Sequence, residues 1–238
     1  MFANWATRWL AAGAVVVVLA GGVLGIVRLT TGSGSSAATA TAVPSASAGH
    51  FGAGGGAANA RSAPAAGGAS GTVSAMSRSA FTLRTSAGQT VTVKETASTA
   101  YGNGTAPSSS RAVKTAERVL VLGTVNGGTI TAAQVILRPT SRGSAPAWAG
   151  TVIPFRRGAP SAAKSAGRVP GGHKEGSGTI VGGIAAGKAT RAALTVYAGG
   201  IVDRVVRLGS GEYEVHNIGV NWPHHIFVTG AFKVVGAD

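Results

Sequence analysis

The residues with the greatest chemical capacity lie near the C-terminal end. Glu212, Glu214 and His216 alternate, so in an extended segment their side chains share one face. His224 and His225 follow; in a strand they point to opposite faces, which leaves one of them able to join His216. Two imidazoles and a carboxylate on paired strands form a zinc-type donor set. A third histidine is not well placed, and the chain has no cysteine to complete the set. The expectation is therefore a polar face beside a Trp222-Pro223 turn, with no metal and no cofactor.

Other catalytic chemistry fares less well. Serines are frequent but sit mostly in low-complexity stretches, and no Gly-x-Ser-x-Gly elbow occurs. Between residues 71 and 183 the carboxylates are Glu95, Glu117 and Glu175, with no local pair for acid–base hydrolysis. Gly182-Gly183-Ile184-Ala185-Ala186-Gly187-Lys188 lacks the first glycine of a phosphate loop at the required spacing and precedes a short helix with no βαβ context. No catalytic residue is assigned, and the chain reads as non-enzymatic.

Charge narrows the partners. The 238 residues carry a formal net charge of +14. The excess lies mid-chain: residues 70–140 hold seven basic groups against Glu95 and Glu117, and residues 141–183 hold six against Glu175. Such an excess favours anionic lipid head groups, acidic wall polymers or nucleic acid. Nucleic acid is disfavoured because single-strand binding needs stacking platforms, and residues 70–140 offer Phe81 and Tyr101 alone.

The elements that must carry these residues follow from patterning. Leu10 to Val27 is an 18-residue run without a charged or strongly polar side chain. At about 1.5 Å per residue it covers most of a ~30 Å hydrocarbon core. Trp5 and Trp9 suit the interface before it, and Arg8 and Arg28 bracket it. The reading is a signal anchor: a cytoplasmic tail at 1–9, a single transmembrane helix at 10–29, and the bulk of the chain extracytoplasmic at the cell membrane. Cleavage of the segment is the competing outcome, disfavoured because a signal-peptide apolar region is shorter.

Residues 30–70, rich in Gly, Ala, Ser and Thr, read as a disordered linker. Strand patterning then begins at Gly71-Thr72-Val73 and continues through Phe81–Thr85, a Ser86–Gln89 turn and Thr90–Lys94. After a polar loop through Tyr101–Gly104 come Arg118–Val125 and Thr129–Leu137, joined by Asn126-Gly127, a strong hairpin signal because both positions tolerate φ > 0. Five short strands predict a small antiparallel barrel over 71–138. Residues 139–183 read as a Pro/Gly-rich basic linker in which Trp148 or Phe155 packs on a neighbouring domain. Residues 184–238 predict one helix on an antiparallel sheet: a helix over 187–197 with Ala193, Leu194 and Tyr197 on its buried face, stopped by Gly199-Gly200, then strands at 201–208, 212–218, 225–228 and 232–235. The fold class is mainly β with an α+β C-terminal unit.

Two resemblances accompany this pattern. Gly71-Thr72-Val73, the Phe81 strand, Glu117–Thr124 and Asn126–Ala132 resemble an OB-like bacterial domain of unknown function found in exported proteins, and the whole layout resembles actinobacterial-type exported membrane proteins of unknown function. The Ala-rich helix ending in a Gly pair, the Val205 strand and Tyr213-Glu214-Val215 resemble a PepSY-like domain. That resemblance implies restraint of a peptidase or capture of a peptide outside the cytoplasm. The expected contact surface is Tyr213, His216, Trp222, Pro223, His224 and His225, meeting an envelope peptide or protein. The alternative is a structural envelope module whose basic linker binds anionic wall polymers or lipid head groups.

Overall fold

A computed structural model describes residues 63–139, 145–159 and 164–238, all within one compact unit, His50–Asp238. The expected anchor at 10–29, the tail before it and most of the 30–70 linker lie outside the described residues. Among the described residues no helix is long and apolar enough to cross a membrane.

The described residues are mainly β, with one α-helix among them. In order the elements are β1 (Ala65–Met76), β2 (Ala80–Thr85), β3 (Thr90–Lys94), β4 (Ala100–Asn103), β5 (Ala106–Pro107), β6 (Arg118–Asn126), β7 (Thr129–Leu137), β8 (Ile153–Pro154), β9 (Ala166–Gly167) and β10 (Thr179–Val181). Then follow α1 (Gly183–Val196), β11 (Ile201–Arg207), β12 (Tyr213–Ile218), β13 (Val220–Trp222), β14 (His225–Val228) and β15 (Val234–Ala237).

Strands β1, β2, β3, β7 and β6 close on themselves, since β1 pairs with both β2 and β6. The interior is the alternate set that period-2 patterning marks: Val73, Phe81, Leu83, Val91, Val93, Val119, Val121, Ile130 and Val135 are all essentially buried. The expected barrel is thus present with one difference. Its β3–β7 seam is parallel, because the chain crosses the barrel end through β4 and β5 before returning along β6. The polar loop at Tyr101 is itself a strand, β4, lying parallel to β7.

The boundaries expected for the linkers also change. β1 starts at Ala65, so the last six residues of what reads as linker are strand, and they pair with β6 along that whole length. Gly68 and Ala69 pair in addition with Val202 and Ile201 of β11, so barrel and C-terminal strands share one continuous sheet. The 139–183 segment supplies three short strands: β8 pairs with β13, β9 with β15, and β10 with β11. Trp148 stays about one-third exposed and Phe155 largely exposed, while Ala149 and Val152 pack on the core.

Beyond β1 the sheet runs β11–β12–β14–β15–β9 and carries a layer on each face. On one side α1 buries Ala186, Ala189, Ala193 and Leu194, together with its capping residue Tyr197, against Val205, Val215, Ile226 and Val228. The helix begins four residues earlier than expected and ends where expected, with Gly200 at φ +75° turning the chain into β11. On the other side Val206, Leu208 and Phe227 pack under Val169, Ile180 and Val235, so residues 164–181 cover the second face.

Candidate functional site

Strand alternation decides where the chemically capable side chains point. In register, His216 of β12 faces Arg204 of β11 and His225 of β14, and Glu214 faces Val206 and Phe227. All belong to the face covered by residues 164–181, opposite α1. Glu214 has no exposed surface. A buried carboxylate needs partners to offset its lost hydration: His225 Nδ1 lies within hydrogen-bonding distance, 2.8 Å from Oε1, while His173 Nδ1 stands farther off, 3.7 Å from Oε2. Because a carboxylate only accepts, the His225 Nδ1 carries the proton.

A second pair lies alongside. His216 Nδ1 donates to Asp203 Oδ1 at 2.6 Å, and Arg204 Nη1 donates to Asp203 Oδ2 at 3.1 Å. The His216 and His225 rings stand 5.3 Å apart between centroids, and the His173 and His225 rings 5.8 Å. The result is a row of ionisable side chains across the sheet: Arg204, Asp203, His216, His225, Glu214, His173. Burial works against a charged His225, yet the Glu214 hydrogen bond and charge, with Glu175 and Asp238 beyond, outweigh it and raise its pKa. His224 moves the other way, lowered by desolvation and by the charges of His216 and His225.

Four residues of the expected set lie elsewhere. Glu212 precedes β12 and pairs instead with Arg168 of the covering segment. Tyr213, Trp222 and Pro223, expected on a contact surface, are buried. Tyr213 stacks on Phe232, and Trp222 meets Tyr197 edge-on at 5.4 Å while its Nε1 donates to the Lys164 carbonyl. Both rings pack against other parts of the fold: Tyr213 on Phe232, and Trp222 between Tyr197 and residue 164. The histidines His216, His224 and His225 are half-buried.

His173, by contrast, enters the cluster unannounced. It lies in the expected linker, held by a turn from its own N–H to the Pro170 carbonyl and by an edge contact with Phe227. The one hint in the sequence is scarcity: the chain has five histidines, and four of them meet here. Among the described residues, His173, Glu214 and His225 form a group able to hold a metal ion, each offering one ligand atom.

A separate surface feature lies where the helix meets the barrel. A groove of about 540 Å³ runs between the N-terminal half of α1 and strands β1, β6 and β7. Its lining is mostly apolar, from Ala66, Leu122, Ala133 and Ile184, with Lys188 and Arg191 on the helix side and no carboxylate. Ile184 is 79% exposed there. The helix start adds positive potential, for its first turn contains no acidic residue and its Gly182 cap makes no side-chain bond.

Comparison with known proteins returned no matching family model, no matching curated protein and no matching solved structure.

Proposed function

We propose that this chain is a membrane-anchored, extracytoplasmic, non-enzymatic binding protein that holds an acidic polypeptide segment in the groove beside α1. The observation that carries the reading is the lining of that groove: apolar side chains, two cations, the uncapped start of a helix and no carboxylate. This combination is complementary to a chain with apolar side chains next to Asp, Glu or a terminal carboxylate. The apolar run Leu10–Val27 supports the anchor. Strand order β1-β2-β3-β7-β6 around the barrel supports the OB-like reading of residues 71–138, and one helix over β11, β12, β14 and β15 supports the PepSY-like one. In both readings the fold serves as a rigid frame for recognition.

The test uses the full chain in detergent and fluorescently labelled eight-residue peptides of alternating Asp and Leu, with all-Asp, Lys/Leu and inorganic polyphosphate as competitors. The Asp/Leu peptide binds, and Lys188→Glu with Arg191→Glu weakens it by about tenfold, two lost ion pairs and two new repulsions amounting to roughly 1.4 kcal/mol. Binding unchanged by the double reversal refutes the groove. Polyphosphate displacing the peptide at equal phosphate and carboxylate concentration transfers the reading to anionic wall polymers. A reporter fused after Asp238 that is active in the cytoplasm overturns the placement outside.

A further inference from the structure

We propose that His173, Glu214 and His225 form a binding site for one divalent transition-metal ion, with zinc the ion that best suits their donors. The site is independent of the groove, on the opposite face of the sheet.

Three observations carry it. The first is donor type and spacing. Two imidazoles and one carboxylate present ligand atoms that all lie within 4.8 Å of one another. Around a tetrahedral zinc with bonds near 2.1 Å, ligand atoms stand ~3.4 Å apart, so closure by up to about 1.4 Å brings these three donors to zinc spacing. The second is the way the donors are mounted. Glu214 and His225 project from hydrogen-bonded neighbours β12 and β14, whose register fixes their separation. His173 comes from the covering segment, braced by Phe227 and by its turn to Pro170, where a small adjustment brings its ring toward the strands. Rigid donors on a sheet and one from a loop let the site form before the ion arrives and tighten on it.

The third is the state of His173. Its side chain is 10% exposed, and its Nδ1 is buried without a hydrogen-bond partner. Glu214 Oε2, at 3.7 Å, is beyond hydrogen-bonding reach. A buried ring nitrogen without a partner loses its hydration for nothing in return. An ion bound between His173 and Glu214 supplies that partner and neutralises part of the buried negative charge. The His216–Asp203–Arg204 row stands behind His225 and fixes the ring array from the far side, as outer-sphere groups do at metal centres. Two histidines and one carboxylate leave a fourth position for water or a donor from a partner.

The test uses the full chain without an affinity tag of histidines, stripped with chelator in detergent and titrated with zinc chloride alone. Calorimetry and metal analysis after desalting are expected to give one zinc per chain. Loss of an outer-sphere group costs metal sites about 10–100-fold, so removal of a direct ligand in His173→Ala or His225→Ala is expected to weaken binding by at least about 100-fold. Glu214→Gln is the isosteric companion. Should burial of the amide compromise folding, His173→Ala decides, because that side chain lies on a segment outside the strands. A native chain that retains no stoichiometric zinc overturns the proposal. So does a His173→Ala variant that binds zinc as tightly as the native chain.

Discussion

Gly67→Ala is the sharpest perturbation of this fold, because its sign depends on whether residues 65–70 are a tether or a strand. In a flexible Gly/Ala tether the change is neutral, or stabilising by about 0.4–1 kcal/mol through the unfolded chain. In the structure, β1 at this point is clamped between β6 and β11. A Cβ at Gly67 overlaps the Val202 carbonyl oxygen, lies 2.8 Å from the Val202 carbonyl carbon and 3.1 Å from Val125 Cγ2. The obstacle is backbone, so rotamer changes give no relief, and β1 has to retreat from β11. Overpacking of this kind costs about 1–3 kcal/mol. The retreat also loosens the pairing of Gly68 with Val202 and Ala69 with Ile201, each ladder hydrogen bond being worth about 1 kcal/mol net. The sum is about 2–5 kcal/mol, a large share of the about 5–15 kcal/mol available to a folded domain. For a unit of this size it lowers Tm by about 4–20 °C. Near-UV circular dichroism of the full chain in detergent reads the transition. Gly187→Ala serves as control: its new Cβ meets Leu122 Cδ1 at an easy 3.9 Å within a helix, and gains up to about 1 kcal/mol. A Gly67→Ala chain that melts at or above the native temperature refutes the shared sheet.

Two further outcomes test the core and the barrel rim. Trp222→Ala removes a ring that is 1% exposed, together with the donor to the Lys164 carbonyl, and is expected to cost about 3–5 kcal/mol in urea unfolding; a loss below about 1 kcal/mol would return Trp222 to the surface role expected for it. Tyr101 has its pKa pushed up to about 12, first by burial and then by its hydrogen bond and charge contact with Glu95 at 2.7 Å. The unfolded phenol ionises near 10, so this contribution to stability is complete below about pH 10 and is lost as pH rises toward 12. Ultraviolet titration at alkaline pH checks it: Glu95→Gln advances the ionisation of one tyrosine toward pH 10, and an unchanged profile contradicts the pairing.

Local sequence determined every element whose signal is carried by its own neighbours. Alternation over Phe81–Thr85, Thr90–Lys94, Arg118–Asn126 and Thr129–Leu137 needs no partner to be recognised, because period 2 by itself separates the barrel interior from solvent. The Asn126-Gly127 turn, with Gly127 at φ +56°, and the Gly199-Gly200 stop after α1 are equally local. So is the shared face of Glu214 and His216. The tertiary structure alone decided the rest. Ala65-Ala66-Gly67-Gly68-Ala69-Ser70 has the composition of a tether, and its glycines acquire meaning through the backbones of Val202 and Val121 pressing on them from other strands. Trp222 looks like a surface aromatic until α1 and Lys164 close over it. His173 lies 41 residues before Glu214 in a stretch of Pro and Gly, and no periodicity links the two. Their meeting follows from β9 and β10 docking at opposite ends of the sheet, which draws the chain between them across the face where Glu214 is buried. Spacing along a chain encodes which way a side chain points, whereas pairing between distant backbones sets what it points at.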